Sequence, residues 1–101
     1  MHSNDAQMLV LTVLADGPRH GYAINTEIEA LTGNRLRPGS LYGALARLEA
    51  RSLIEPVTAD GDERQRTVRI TDAGRQTLRA ELEQMARVAK AGLRALGSAP
   101  A

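Results

Sequence analysis

The chain has 101 residues, of which 43% are hydrophobic and 25% charged, with a formal net charge of +1 and no cysteine. That length allows one domain at most, burying about two-thirds of the surface its unfolded form exposes, and the ordinary apolar content excludes low complexity or disorder over most of it. Lack of cysteine excludes disulfides, thiolate zinc sites, iron–sulfur clusters and cysteine nucleophiles.

A first helix is predicted from Asn4 or Asp5 to Ala15, opening on good capping residues. Met8, Leu9, Val10, Leu11, Val13 and Leu14 cover nearly every direction around it, so it must be buried on more than one side. In so small a chain, one of those sides is expected to meet another subunit. The apolar run from Met8 to Ala15 is interrupted by Thr12 and falls far short of the roughly 20 residues a bilayer requires. Met1 to Gln7 lacks the basic stretch of a signal peptide, so a soluble cytoplasmic chain is expected, with no membrane partner.

Asp16, Gly17 and Pro18 stop this helix, and a second fits His20 to Leu31. Tyr22, Ile24, Ile28 and Leu31 form its apolar face, and Gly33 suits its end. A third helix should begin between Pro38 and Ser40 and run to about Arg51, with Leu41, Leu45 and Leu48 inward. The opposite face then holds Gly43, Ala46, Arg47 and Ala50, with Tyr42 on the flank. Small residues there let the helix approach a grooved surface closely; an amphipathic surface helix with inexpensive alanines is the plainer alternative.

Ile54 to Thr58 and Gln65 to Ile70 are β-prone runs joined by a polar turn, residues 59–64, that contains Asp60-Gly61. Pro56 lacks an amide donor, which places the first strand at an edge. Thr71 or Asp72 caps a last helix reaching about Leu96. Along it Leu78, Leu82, Met85, Ala89, Gly92 and Leu96 follow a 4, 3, 4, 3, 4 spacing, a heptad seam suited to pairing with another helix. Residues 97–101 read as a flexible tail.

Charge is unevenly placed. Residues 1–34 set Arg19 against Asp5, Asp16, Glu27 and Glu29, a net −3, whereas residues 35–51 set Arg35, Arg37, Arg47 and Arg51 against Glu49, a net +3. Positive charge is thus concentrated on the third helix and its approach. Twelve of the thirteen cations are arginine, as a G+C-rich genome or selection for bidentate phosphate and guanine contacts would each produce.

Catalytic chemistry is thinly represented. His2 and His20 have no metal-ligand spacing, and the glycines form neither a phosphate loop nor a dinucleotide fingerprint. Asp16, His20 and Ser40 make an accidental triad without an oxyanion-hole or nucleophile-elbow motif. No enzyme activity and no cofactor are expected.

Helix, turn, helix with a basic face, then hairpin is the winged helix-turn-helix order, in which the second helix of the motif enters the major groove. The chain resembles the PadR family of bacterial transcriptional regulators. The resemblance rests on Met8-Leu9-Val10-Leu11, on His20-Gly21-Tyr22, and on Pro38-Gly39-Ser40-Leu41-Tyr42 with Leu45, Arg47, Leu48 and Glu49. Arg69-Ile70-Thr71-Asp72-Ala73-Gly74 continues it, so that it spans about residues 8–96.

The resemblance implies a mainly α fold with a small β-hairpin: a winged helix-turn-helix over residues 1–70 and a C-terminal dimerisation helix over 71–96. It also implies a homodimeric repressor of the short subgroup that binds double-stranded DNA. Carried over, Ser40 and Tyr42 would meet phosphates, Arg47 a base edge or phosphate, and Tyr22 would pack in the core. The expected DNA-facing set is Arg35, Arg37, Ser40, Tyr42, Gly43, Ala46 and Arg47, joined by Arg64 and Arg66 from the wing. The expected dimer set is Leu11, Leu14, Leu78, Leu82, Met85, Ala89 and Leu96.

Some relatives of the short subgroup hold flat aromatic drugs between tryptophans, and this chain, with Tyr22 and Tyr42 as its only aromatics, departs from that pattern. Small residues near Gly92 nonetheless leave room for an apolar small-molecule effector. Asp60, Asp62 and Glu63 weaken the wing's grip on DNA. A winged-helix module that binds protein instead of DNA is the competing expectation.

Overall fold

The computed structural model describes residues 3–57 and 66–97. Four helices and three short strands follow in the order α1 (Ser3–Leu14), β1 (Arg19–His20), α2 (Gly21–Thr32), α3 (Pro38–Ala50), β2 (Ile54–Pro56), β3 (Thr67–Ile70) and α4 (Asp72–Gly97). The predicted turn over residues 59–64 lies outside the described residues.

Helix α1 is the hub. It packs against α2, α3, α4 and β3, and Val10, Leu11, Val13 and Leu14 disappear into the resulting core. Full burial of each such side chain contributes about 1.5–3 kcal/mol, before the entropy of ordering is subtracted. Leu11 and Leu14, expected at a contact between subunits, instead lie 2% and 1% exposed inside the chain's own core, because four elements close around this helix. Its half-exposed apolar positions are Met8 and Leu9, with Ala15 just past its end.

On α2 the buried stripe is Gly21, Ile24, Asn25 and Ile28. Tyr22 and Leu31, expected on the apolar face, are 61% and 59% exposed. Tyr22 sits one residue, or about 100°, off the stripe, and Leu31 lies nearly a turn beyond its last member. The helix ends at Gly33, whose φ of 87° is the left-handed conformation that glycine adopts without steric cost, and whose N–H donates to the Glu29 carbonyl.

Helix α3 opens with Pro38 in its first turn, where the missing amide costs nothing. Leu41, Ala44 and Leu48 are buried and Leu45 packs against the core, the inward face its leucine spacing requires. The strands form an antiparallel sheet in the order β1-β3-β2, so Pro56 lies on an edge strand. Ile54 pairs with Ile70 and both face the core, while Glu55 pairs with Arg69 on the outer face, Nε donating to the carboxylate at 2.7 Å. Strand β1 was not foreseen: at two residues it is too short to carry a periodicity.

Helix α4 is joined to the body by Thr71. Its N–H donates to the Leu53 carbonyl, its hydroxyl donates to the Ser52 carbonyl at 2.8 Å, and the same oxygen caps α4 by accepting from Gly74 N–H at 3.0 Å. A Cβ at Gly74 would run into the Leu53 carbonyl oxygen and into Ile70, so only glycine lets the helix start this close to the sheet. Leu78, a member of the predicted seam, is buried in the chain's own core, and from Arg79 onward every residue of α4 is exposed. The molecule is 57 Å along its longest axis as a result.

Candidate nucleic-acid interface

The loop from Gly33 to Arg37 sets the angle between α2 and α3, and Asn25 fixes that loop. Its side-chain amide donates to the Leu36 carbonyl and its oxygen accepts from Leu36 N–H, both at 2.8 Å, in a site where both residues are buried. The pair mimics a rung of a β-ladder and leaves neither buried backbone group unsatisfied. A polar residue between Ile24 and Ile28 on a buried stripe was the signal for this role.

Tyr42 adds a second restraint. Its ring lies over the first residue of α2, so close that a Cβ on Gly21 would stand 3.0 Å from Oη and 3.1 Å from Cε1. The half-buried ring is thus held by packing while its hydroxyl reaches the start of α2.

The outward face of α3 presents Ser40, Ala46 and Arg47, all exposed, with Gly43 half-buried between them. The Arg47 guanidinium folds back along the helix, and a Cβ on Gly43 would lie 3.4 Å from its Nη1. Neighbouring cations are engaged within the chain. Arg35 is ion-paired to Glu29 at 2.9 Å, with its guanidinium carbon 5.4 Å from the centroid of the Tyr22 ring. Arg51 donates to buried Gln7 on α1 at 2.6 Å. Arg66, expected to reach DNA from the wing, is held by both carboxylate oxygens of Glu49, at 2.5 and 2.8 Å. Arg64 lies outside the described residues. Of the four arginines in residues 35–51, Arg37 and Arg47 have no side-chain partner among the described residues.

The second candidate surface is the far part of α4. Leu82, Met85, Ala89 and Leu96 are exposed along one side, 39%, 52% and 77% for the three large residues. Val88 and Leu93, which the heptad reading passed over, are also exposed and flank the seam at positions where a dimeric coiled coil usually carries charge. The apolar stripe is accordingly wider than the spacing alone implied.

Among the described residues there is no group of three or more His, Asp or Glu placed to hold a metal ion, and no helix is long and apolar enough to cross a membrane.

Comparison with known proteins gives these features a context. The chain is 60% identical over 88 residues to a 37.1 kDa protein in transposon TN4556 of Streptomyces fradiae, covering 87% of this chain and 25% of that protein. It therefore spans about a quarter of the length of this relative. A transcriptional regulator from Clostridium thermocellum is similar in structure, with a TM-score of 0.74 at 28% identity over 87% of this chain and 86% of that one. A putative transcriptional regulator from Thermoplasma acidophilum matches 98% of this chain and 96% of its own, with a TM-score of 0.72 at 26% identity. The sequence pattern of the Transcriptional regulator PadR-like family matches residues 10–80. With its winged-helix fold and that match over most of its length, the chain belongs to the PadR-like family of transcriptional regulators.

Proposed function

We propose that the chain is a homodimeric, sequence-specific DNA-binding repressor that places α3 in the major groove and pairs through α4. One observation carries this reading: Arg47 stands on an exposed face of small residues with no acidic partner among the described residues, while Arg35, Arg51 and Arg66 nearby are engaged internally. A small-residue face lets a helix backbone enter a groove, and an unengaged arginine on it can bond bidentately to guanine or to a phosphate. Ser40 and Arg37, exposed at the start of the same helix, would contact phosphates. The exposed seam of Leu82, Met85, Ala89 and Leu96 supports pairing with a second copy.

An apolar effector would act along this seam. The open face of α4 formed by Glu81, Gln84, Met85, Val88 and Ala89 lies where a second copy's helix would pack, so a ligand there would alter the angle between subunits.

The reading is tested by selecting duplexes from a random pool with the purified chain and measuring affinity for the winners against unselected DNA. A hundredfold or greater preference is the expected result. A folded dimer that selects no sequence overturns it in favour of a winged-helix protein-binding module.

A further inference from the structure

Arg66 begins the return limb of the wing, and Glu49 lies in the last turn of α3. Their side chains are 32% and 31% exposed, so the pair sits at the surface and is bidentate at the carboxylate. With Leu45, Ala46 and Val68 it lines a small pocket, and Ala46 belongs to the same outward face of α3 as Arg47. The Arg66 guanidinium therefore lies against the edge of the surface that the reading above gives to DNA. What occupies it there is a pair of anionic oxygens, both accepting from Nη2, acceptors of the kind a phosphate also offers.

We propose that Glu49 is an internal stand-in for a DNA phosphate that keeps Arg66 off the duplex backbone and so sets the strength and salt dependence of binding; this rests on the DNA-binding reading. Cations that neutralise phosphates raise affinity for every sequence alike, whereas discrimination comes from base contacts such as the one assigned to Arg47. Withholding a cation from the backbone therefore lowers affinity for selected and random duplex together and leaves their ratio to the base contacts. Glu49 does so twice over: it neutralises Arg66, and if Arg66 left for a phosphate, the bare carboxylate would remain beside the duplex and repel it. Arg35 on Glu29 follows the same pattern further from the face.

The test is a salt titration of the full chain on a labelled duplex of random sequence, followed by fluorescence anisotropy. Glu49→Gln keeps the shape and one acceptor for Arg66 but removes the charge. Its plot of log affinity against log salt should steepen by about 0.9 for each protomer on the DNA, so that affinity between about 50 and about 200 mM salt falls about 3.5-fold more per protomer than for the unaltered chain. Affinity for a selected site and for random duplex should rise together at low salt, with their ratio little changed. The double variant Glu49→Gln, Arg66→Gln should return to the unaltered slope.

An unchanged slope for folded Glu49→Gln overturns the proposal. So does a double variant whose slope is shallower than that of the unaltered chain, since Arg66 would then already contact phosphate. If Glu49→Gln does not fold, the double variant decides by the same comparison. An unaltered chain that binds no duplex in a salt-dependent way rejects the DNA-binding reading itself, a result distinct from either outcome for Glu49.

Discussion

The ring of Tyr42 on α3 rests on the backbone of Gly21, the first residue of α2, with no room for a Cβ between them without displacing the ring. The consequence is a coupled pair. Gly21→Ala should cost about 1 kcal/mol through displacement of the ring. In a Tyr42→Ala background the same change should be neutral or stabilising by up to about 1 kcal/mol, because alanine is the better helix former. A thermal-denaturation double-mutant cycle measures the difference, and simple additivity would show that the contact does not matter.

Asn25 holds Leu36 by two hydrogen bonds, so Asn25→Leu, of similar size, should destabilise the fold by about 2–4 kcal/mol by stranding a buried N–H and a buried C=O. Urea unfolding reads this directly. DNA affinity per folded molecule should also fall, since the loop orients α3 against α2. A loss of stability below about 0.5 kcal/mol would mean that water replaces the amide.

Much of this architecture was legible beforehand, and the lapses share a cause. Periodicity locates elements because buried faces must be apolar, and it found all four helices and the edge position of Pro56. It does not say which copy of the chain does the burying. Leu11, Leu14 and Leu78 were apolar for the chain's own core, and Val88 and Leu93 widen a seam that the heptad pattern alone drew too narrowly. Nor does spacing reveal partnership: Arg35 and Arg51 contribute to the basic segment and Arg66 to the expected DNA-facing set, yet Glu29, Gln7 and Glu49 engage them in the fold. Aromatic character argues for Tyr22 in the core, whereas the buried stripe of α2 includes Gly21 and Asn25 and leaves Tyr22 exposed.

Arg47 and Arg51 lie one helical turn apart and should behave oppositely. Arg47→Ala should weaken binding to a selected site by about 1–3 kcal/mol with little change in stability, as loss of a bidentate base contact would. Arg51→Ala removes the bond to buried Gln7, so it should lower the melting temperature and leave affinity nearly unchanged. Anisotropy and calorimetry on the two variants separate the roles. Equal affinity losses would remove α3's outward face as the specific reader.

Leu78 and Leu82 are similarly separated along α4, one buried and one exposed. Leu82→Glu combined with Met85→Glu should give a folded monomer in sedimentation, because charge then replaces apolar surface only in the seam. Leu78→Glu should unfold the chain, because an unpaired carboxylate would be forced into the core. A Leu82, Met85 variant that remains a dimer at micromolar concentration would move the interface elsewhere.

The proposed pairing along α4 would also constrain the DNA. A two-fold axis between the paired helices relates the two copies of α3, so both must enter the major groove from the same side of the duplex. Successive major-groove faces recur about every 34 Å, one helical turn, and the selected sites should therefore be inverted repeats with half-site centres that far apart. The small joint at Thr71 and Gly74 makes the spacing strict: α4 starts directly against Leu53, leaving little slack between the seam and α3. Inserting about five base pairs between half-sites turns one of them to the opposite face and should reduce affinity to that of a single half-site, whereas inserting about ten should restore the facing but not the distance, and so recover little. A footprint that is asymmetric, or affinity that is indifferent to the five-pair insertion, would contradict a rigid dimer held at α4.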